Sequence, residues 1–130
     1  MNLIYAQMAR FGDLLCGKGV DKNRVEKAEQ SLSLSFADDY KEYLESMGTA
    51  AVNGHELTGL GELEGVNVVS ATLREKSEDN NSRIPKNFYL IENRYIDGVC
   101  AWQNEKGEVF LSQGGNYKKI CNSLIDYIGT

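Results

Sequence analysis

The apolar residues of this chain change period part-way along. Up to Ser77, apart from a glycine-rich stretch at 49–65, they recur mostly at three- and four-residue spacings, the period of one helix face. From Phe88 onward they come in short runs rich in aromatic and β-branched residues. Helices first and hairpins afterwards make an α+β chain, not the strand–helix alternation of a parallel sheet.

In the helical part, Ile4, Met8, Phe11 and Leu15 share one face, widened by Leu3 and Leu14. This predicts a helix running through Gly12, with Gly17 as its C-cap and Lys18 at its negative end. DKNRVEKAEQSL predicts a second helix, capped by Asp21, with Val25, Ala28 and Leu32 inward. SFADDYKEYLESMG predicts a third: Ser35 caps, Asp38 and Asp39 occupy the first turn, Tyr40, Tyr43, Leu44 and Met47 face inward, and Gly48 terminates. The glycine-rich stretch 49–65 leaves room for one short strand, His55 to Leu60. Val66, Val69 and Leu73 predict a fourth helix with Asn67 as cap, then a polar loop closed by Pro85.

FYLIE (88–92), GVCAWQ (98–103) and EVFLSQ (108–113) predict an antiparallel meander turning at Asp97-Gly98 and Lys106-Gly107. NSLIDYIGT predicts a short last helix capped by Asn122 or Ser123, with Leu124, Ile125 and Ile128 inward. The expected architecture is an antiparallel sheet with helices over one face, as one domain spanning residues 1–130.

The net charge of −5 is unevenly placed. Residues 21–79 hold thirteen acidic and six basic residues; the remainder holds six acidic and eight basic. This opposes direct nucleic-acid binding, which needs a basic face, and opposes binding to an anionic membrane. It suits a basic protein partner, or simply solubility. No apolar run is long enough to span a bilayer, and the first residues lack a secretory signal's basic and continuous apolar regions. Cys16, Cys100 and Cys121 form no C-x-x-C pair, which points to a reducing, cytoplasmic setting. There the glycosylation triplet Asn80-Asn81-Ser82 has no consequence.

GDLLCGKGV, residues 12–20, fits G-x-x-x-x-G-K. A phosphate loop also needs a preceding strand and a Ser or Thr after the Lys to hold Mg²⁺. Here Gly19 follows Lys18, and the preceding residues have helical period, so no nucleotide is expected. His55 is the one histidine. A Cys–His dyad with one of the three cysteines stays open, because such pairs meet only in the fold. The ligand spacings of zinc and calcium sites are missing, so no metal or cofactor is expected. The carboxylate pairs Asp38/Asp39, Glu62/Glu64 and Glu78/Asp79 read as helix starts or solvated loops. Glu29, at the edge of an apolar face, is either a partly buried anchor or an exposed flank. Trp102 reads as core.

VEKAEQSLSLSFADDYKEYLESMG resembles the opening motif of the SMI1/KNR4-like, or SUKH, superfamily, through Glu29, Leu32, Asp39, Tyr40, Tyr43, Leu44 and Gly48. ELTGL resembles the next block, with Gly59 and Leu60. Val69 to Arg74, with Thr72, fits the following helix. Pro85, Ile91, Gly98, Gly107, Glu108 and Val109 fit the later hairpin block, and SLIDYI fits the closing helix. The order of these blocks over residues 21–129 carries the resemblance more than any one of them. One position departs: Ala37 stands where the family usually has proline.

The resemblance implies a non-enzymatic protein. Many bacterial members are immunity proteins of polymorphic toxin systems that bind and block a toxin domain, often a nuclease. The fungal relatives act as regulatory interaction scaffolds in cell-wall synthesis. A cytoplasmic inhibitor of a basic nuclease is therefore expected, with a scaffold that has no toxin partner as the alternative. The expected partner surface is acidic: Glu56, Glu62, Glu64, Glu75, Glu78 and Asp79.

Overall fold

A computed structural model describes residues 3–61, 66–78 and 83–130. Among them are five helices and seven strands: α1 Leu3–Ala9, β1 Leu15–Cys16, α2 Lys22–Leu32, α3 Asp38–Met47, β2 Ala50–Val52, β3 His55–Glu56, α4 Val68–Ser77, β4 Tyr89–Asn93, β5 Cys100–Gln103, β6 Val109–Gln113, β7 Asn116–Cys121 and α5 Leu124–Ile128. The strands form two antiparallel sheets, β1-β2-β3 and the meander β4-β5-β6-β7. The fold is α+β, and among the described residues no helix is long and apolar enough to cross a membrane.

α2 and α3 form where their caps and apolar spacing direct. The Asp21 carboxylate accepts from the Arg24 amide, and Val25, Ala28 and Leu32 are buried. Tyr40, Tyr43, Leu44 and Met47 are buried along α3, which ends at Gly48 with φ +72°. These faces join Ile4, Met8, Leu124 and Ile128 over Tyr89, Ile91, Ala101 and Val109 of the four-stranded sheet. The opposite face is also closed: Phe88, Leu90, Cys100 and Trp102 pack with Ala71 of α4 and Ile84. The expectation of one covered face is thus extended by a second, smaller core. Trp102 is fully buried there, its indole N–H donating to the Ser112 hydroxyl at 2.8 Å.

Thr58 joins the two sheets. Its amide donates to the Ile91 carbonyl at 2.8 Å and its hydroxyl to the Leu90 carbonyl at 2.7 Å. Tyr43 donates to the Thr58 carbonyl and Tyr40 shares a hydrogen bond with its hydroxyl, so α3 is tied to the same point.

Two register breaks interrupt the meander. On β4, Leu90 pairs with Trp102 but Glu92 pairs with Ala101, leaving Ile91 as a bulge. Strict alternation would put Glu92 on the Leu90 face. The bulge turns it to the Ala101 side instead. On β7, Val109 pairs with Cys121 and Phe110 with Lys119, so Ile120 is the extra residue.

Several expectations are corrected. α1 stops at Ala9, Gly12 adopts φ +86°, and Leu15–Cys16 pairs with Ala50–Ala51 as a strand. Phe11 and Leu15 are therefore exposed, 38% and 73%, not part of an inward stripe. Gly17 caps no helix; its amide continues the ladder to the Thr49 carbonyl. The cap of α3 is Ala37, not Ser35. α4 presents Val68, Ala71 and Thr72 inward, so Leu73, predicted inward, is 52% exposed. Strands β2 and β7 were not expected. Of the two offered caps for α5, Ser123 serves, and Tyr127 joins Leu124 and Ile128 inside while Ile125 is half-buried.

Candidate functional site

The hairpin β2–β3, the β4–β5 turn, the middle of β6 and the end of β7 surround an open cleft of about 760 Å³. Glu92, aimed inward by its bulge, forms the floor. Its carboxylate accepts from His55 Nδ1 at 2.8 Å, from the Glu56 amide at 2.6 Å and from the Tyr127 hydroxyl. A buried carboxylate needs this many donors to offset its lost hydration. Burial, then the bond to Glu92, pushes the Tyr127 phenol well above its ordinary range, so it stays a donor. Arg94 Nε donates to the Tyr127 oxygen at 3.2 Å, and its guanidinium lies 5.4 Å from that ring's centroid.

Arg94 begins a tight turn that carries Tyr95 and Ile96, 73% and 67% exposed. Tyr95 and Asp97 both hold positive φ, +55° and +53°, which is costly for residues with a Cβ. Hydrogen bonds hold the turn there: Tyr95 amide to Asn93 Oδ1, Val99 amide to the Ile96 carbonyl, and Gln113 side chain to the Asp97 carbonyl. Leu111 and Ile120, half-buried, form the apolar wall.

A second surface lies between α2 and α3, a groove of about 430 Å³ lined by Glu26, Glu29, Asp38, Glu42 and Glu45, with Lys22 and Lys41. Two of these carboxylates are committed within the fold. Glu29 accepts from the Phe36 amide at 2.8 Å, the partly buried anchor among its two readings, and Glu42 accepts from the Ile4 amide at 2.6 Å. Glu26, Asp38 and Glu45 are exposed.

The acidic residues expected at a partner surface are scattered. Glu56 is exposed on the rim of the cleft, and Glu78 is exposed at the end of α4. Glu75 is half-buried and engaged, accepting from Asn93 Nδ2 at 3.1 Å and from the Cys100 thiol at 3.5 Å. Glu62, Glu64 and Asp79 lie outside the described residues. Sequence reasoning missed both the cleft and the α2–α3 groove. Exposed positions Glu26, Asp38 and Glu45 on two adjacent, correctly phased helices were a usable signal for the groove; the bulge that makes the cleft leaves none.

The dyad reading finds no support among the described residues. His55 is bonded to Glu92, with its other nitrogen 3.4 Å from the Thr130 backbone oxygen. Cys100 instead faces Glu75; burial and that carboxylate push its thiol up to about 12. Cys121 points to the Ser123 carbonyl and Cys16 is exposed. Among the described residues no group of three or more His, Cys, Asp or Glu side chains is placed to hold a metal ion.

A family model described as SMI1-KNR4 cell-wall (SUKH_5) matches residues 3–130. No curated protein matches the chain at a significant level.

Proposed function

Because the chain belongs to the SMI1-KNR4 family, we propose that it is a non-enzymatic protein-binding domain acting as a cytoplasmic immunity protein, which neutralises a toxin domain by covering it. The observation that carries the reading is the α2–α3 groove, where exposed Glu26, Asp38 and Glu45 join Glu29 and Glu42 so that carboxylates outnumber the two lysines, Lys22 and Lys41. A nuclease toxin presents cations to hold phosphates, and carboxylates held in place answer them. The acidic residues Glu56, Glu62, Glu64, Glu78 and Asp79 extend this proposal beyond the groove.

The second reading is a regulatory interaction scaffold. The cell-wall description attached to the matching family favours it. Capture with the tagged chain from its native source, at low and high salt, separates the two. The immunity reading expects one stoichiometric basic partner, bound more weakly at high salt, whose toxicity on expression is relieved by co-expressing this chain. Several neutral or acidic partners, none of them toxic, would replace it with the scaffold reading.

A further inference from the structure

We propose that the cleft beside His55 and Glu92 is a docking site for an extended protein segment in which an apolar side chain adjoins a carboxylate. It is independent of the acidic groove and does not rest on the toxin reading.

Three observations carry the site. First, both register breaks of the meander fall on it: the β4 bulge delivers Glu92 to its floor, and the β7 bulge delivers Ile120 to its wall. Bulges cost ladder hydrogen bonds and commonly re-aim side chains beside functional sites. Second, the rim is built to stay in place. Tyr95 and Ile96 are held exposed on a turn with two positive-φ non-glycine residues, pinned by hydrogen bonds from both of its flanks and from β6. An aromatic and an aliphatic side chain fixed beside a concavity resemble the anchors that dominate protein interfaces, with little ordering entropy left to lose. Third, the cleft holds a cation whose outer donors are unused among the described residues, although its Nε pairs with Glu92. Arg94 uses Nε for Tyr127, with Glu92 3.9 Å away, and among the described residues its two terminal nitrogens have no acceptor. Glu92 is already taken by three other donors. Lys118, exposed and paired in register with Leu111, lines the adjoining concavity, and the cleft's own rim carries exposed Glu56, on β3 and away from Arg94's turn.

The chemistry of the occupant follows. Leu111, Ile120 and Ile96 offer apolar contact to one side chain. The free fork of Arg94 matches the two oxygens of a carboxylate. The cleft is open to solvent, not enclosed, which suits a protein segment better than a small molecule.

The test uses the whole chain, labelled for methyl and arginine side-chain NMR, and two probes: acetyl-Ser-Leu-Asp-Leu-Ser-amide and its Asn counterpart. The expected result is shifts at the Ile96, Leu111 and Ile120 methyls and at the Arg94 Nε–H. Affinity near the millimolar range is expected, with the Asp peptide bound roughly fivefold more tightly than the Asn peptide. Arg94→Gln removes that preference. Ile96→Ser, at an exposed position that leaves the fold intact, weakens both peptides by about threefold or more. Equal binding of the two peptides, shifts that map elsewhere, or no shift up to about 10 mM would overturn the proposal.

Discussion

At Gly19 a side chain would have no space: a Cβ there would stand 1.8 Å from the Glu45 carbonyl oxygen. The next residue, Val20, donates its amide to the Leu44 carbonyl, so residues 19 and 20 lie flat against the last turn of α3. This accounts for the second glycine of the G-K-G letters without any phosphate. Gly19→Ala is expected to destabilise the chain by about 2 kcal/mol or more, because only backbone could give way. Gly12→Ala, at φ +86° with open space around it, should cost only about 1 kcal/mol. Urea midpoints of the two variants check the order. Asp39 supplies a second prediction. Its carboxylate accepts from the Leu124 amide at 2.8 Å and from Gln103 at 3.1 Å, yet burial outweighs these bonds and raises its pKa above the ordinary 3.8. With the folded value above the unfolded one, this group's stabilising contribution is full below the unfolded value and is lost as the pH rises through the folded one. The stability of Asp39→Asn relative to the parent should therefore rise as the pH is raised from below 3.8 toward neutrality. A relative fall over that range would mean that the hydrogen bonds, not burial, dominate.

Helix α3 begins without a side-chain cap of its own, since Ala37 offers none. Neighbouring elements take over: Glu29 of α2 accepts the Phe36 amide, and the Tyr89 hydroxyl of β4 accepts the Ala37 amide at 2.9 Å. Glu29→Ala should cost about 1.5–3 kcal/mol, as for a charged hydrogen-bond partner, and Glu29→Gln less, since its amide oxygen still accepts. Thermal unfolding of the pair checks this, and equal losses would point to packing instead. The same helices show what was legible in the sequence. α2 and α3 carry a clear 3.6 period bounded by Asp21 and Gly48, and both were readable to within a residue or two. Glu29 was visible as a charge at the edge of an apolar face, but not the amide it meets. α1 was overextended because Phe11 and Leu15 fit its period, while the backbone pairing of Leu15 with Ala51 is a long-range choice that periodicity does not contain. β2 was missed although Asn53-Gly54, both at positive φ, is a strong two-residue hairpin signal behind Ala50–Val52. β7 was missed because four of its six residues are exposed and two are lysines, so no apolar alternation marks it; Gly114-Gly115 was its only cue. The cleft was illegible for a related reason. Alternation along Tyr89–Asn93 puts Glu92 on the wrong face, and only the β4–β5 register reveals the bulge.

Over the whole molecule the two candidate surfaces differ in kind, and so in what their loss should do. The cleft combines Tyr95, Ile96 and Arg94, residue types whose burial slows dissociation. The α2–α3 groove carries exposed carboxylates, which act mainly while a partner is still approaching. Glu26 and Glu45 are the positions to change, because both are exposed and among the described residues neither caps a helix or holds another element with its side chain, whereas Glu29 and Glu42 hold backbone amides outside their own helices. For a basic partner, the double variant Glu26→Lys/Glu45→Lys should lower the association rate roughly threefold to tenfold at low salt and leave dissociation within about twofold. Near 0.5 M salt, where screening shortens the range of charge to about 4 Å, the difference should largely disappear. Stopped-flow association at several ionic strengths measures each quantity. A dissociation rate that rises while association stays constant would place these carboxylates in direct contact. If both rates match the parent, the partner docks away from α2 and α3, and the cleft with its Tyr95–Ile96 rim is left as the contact surface.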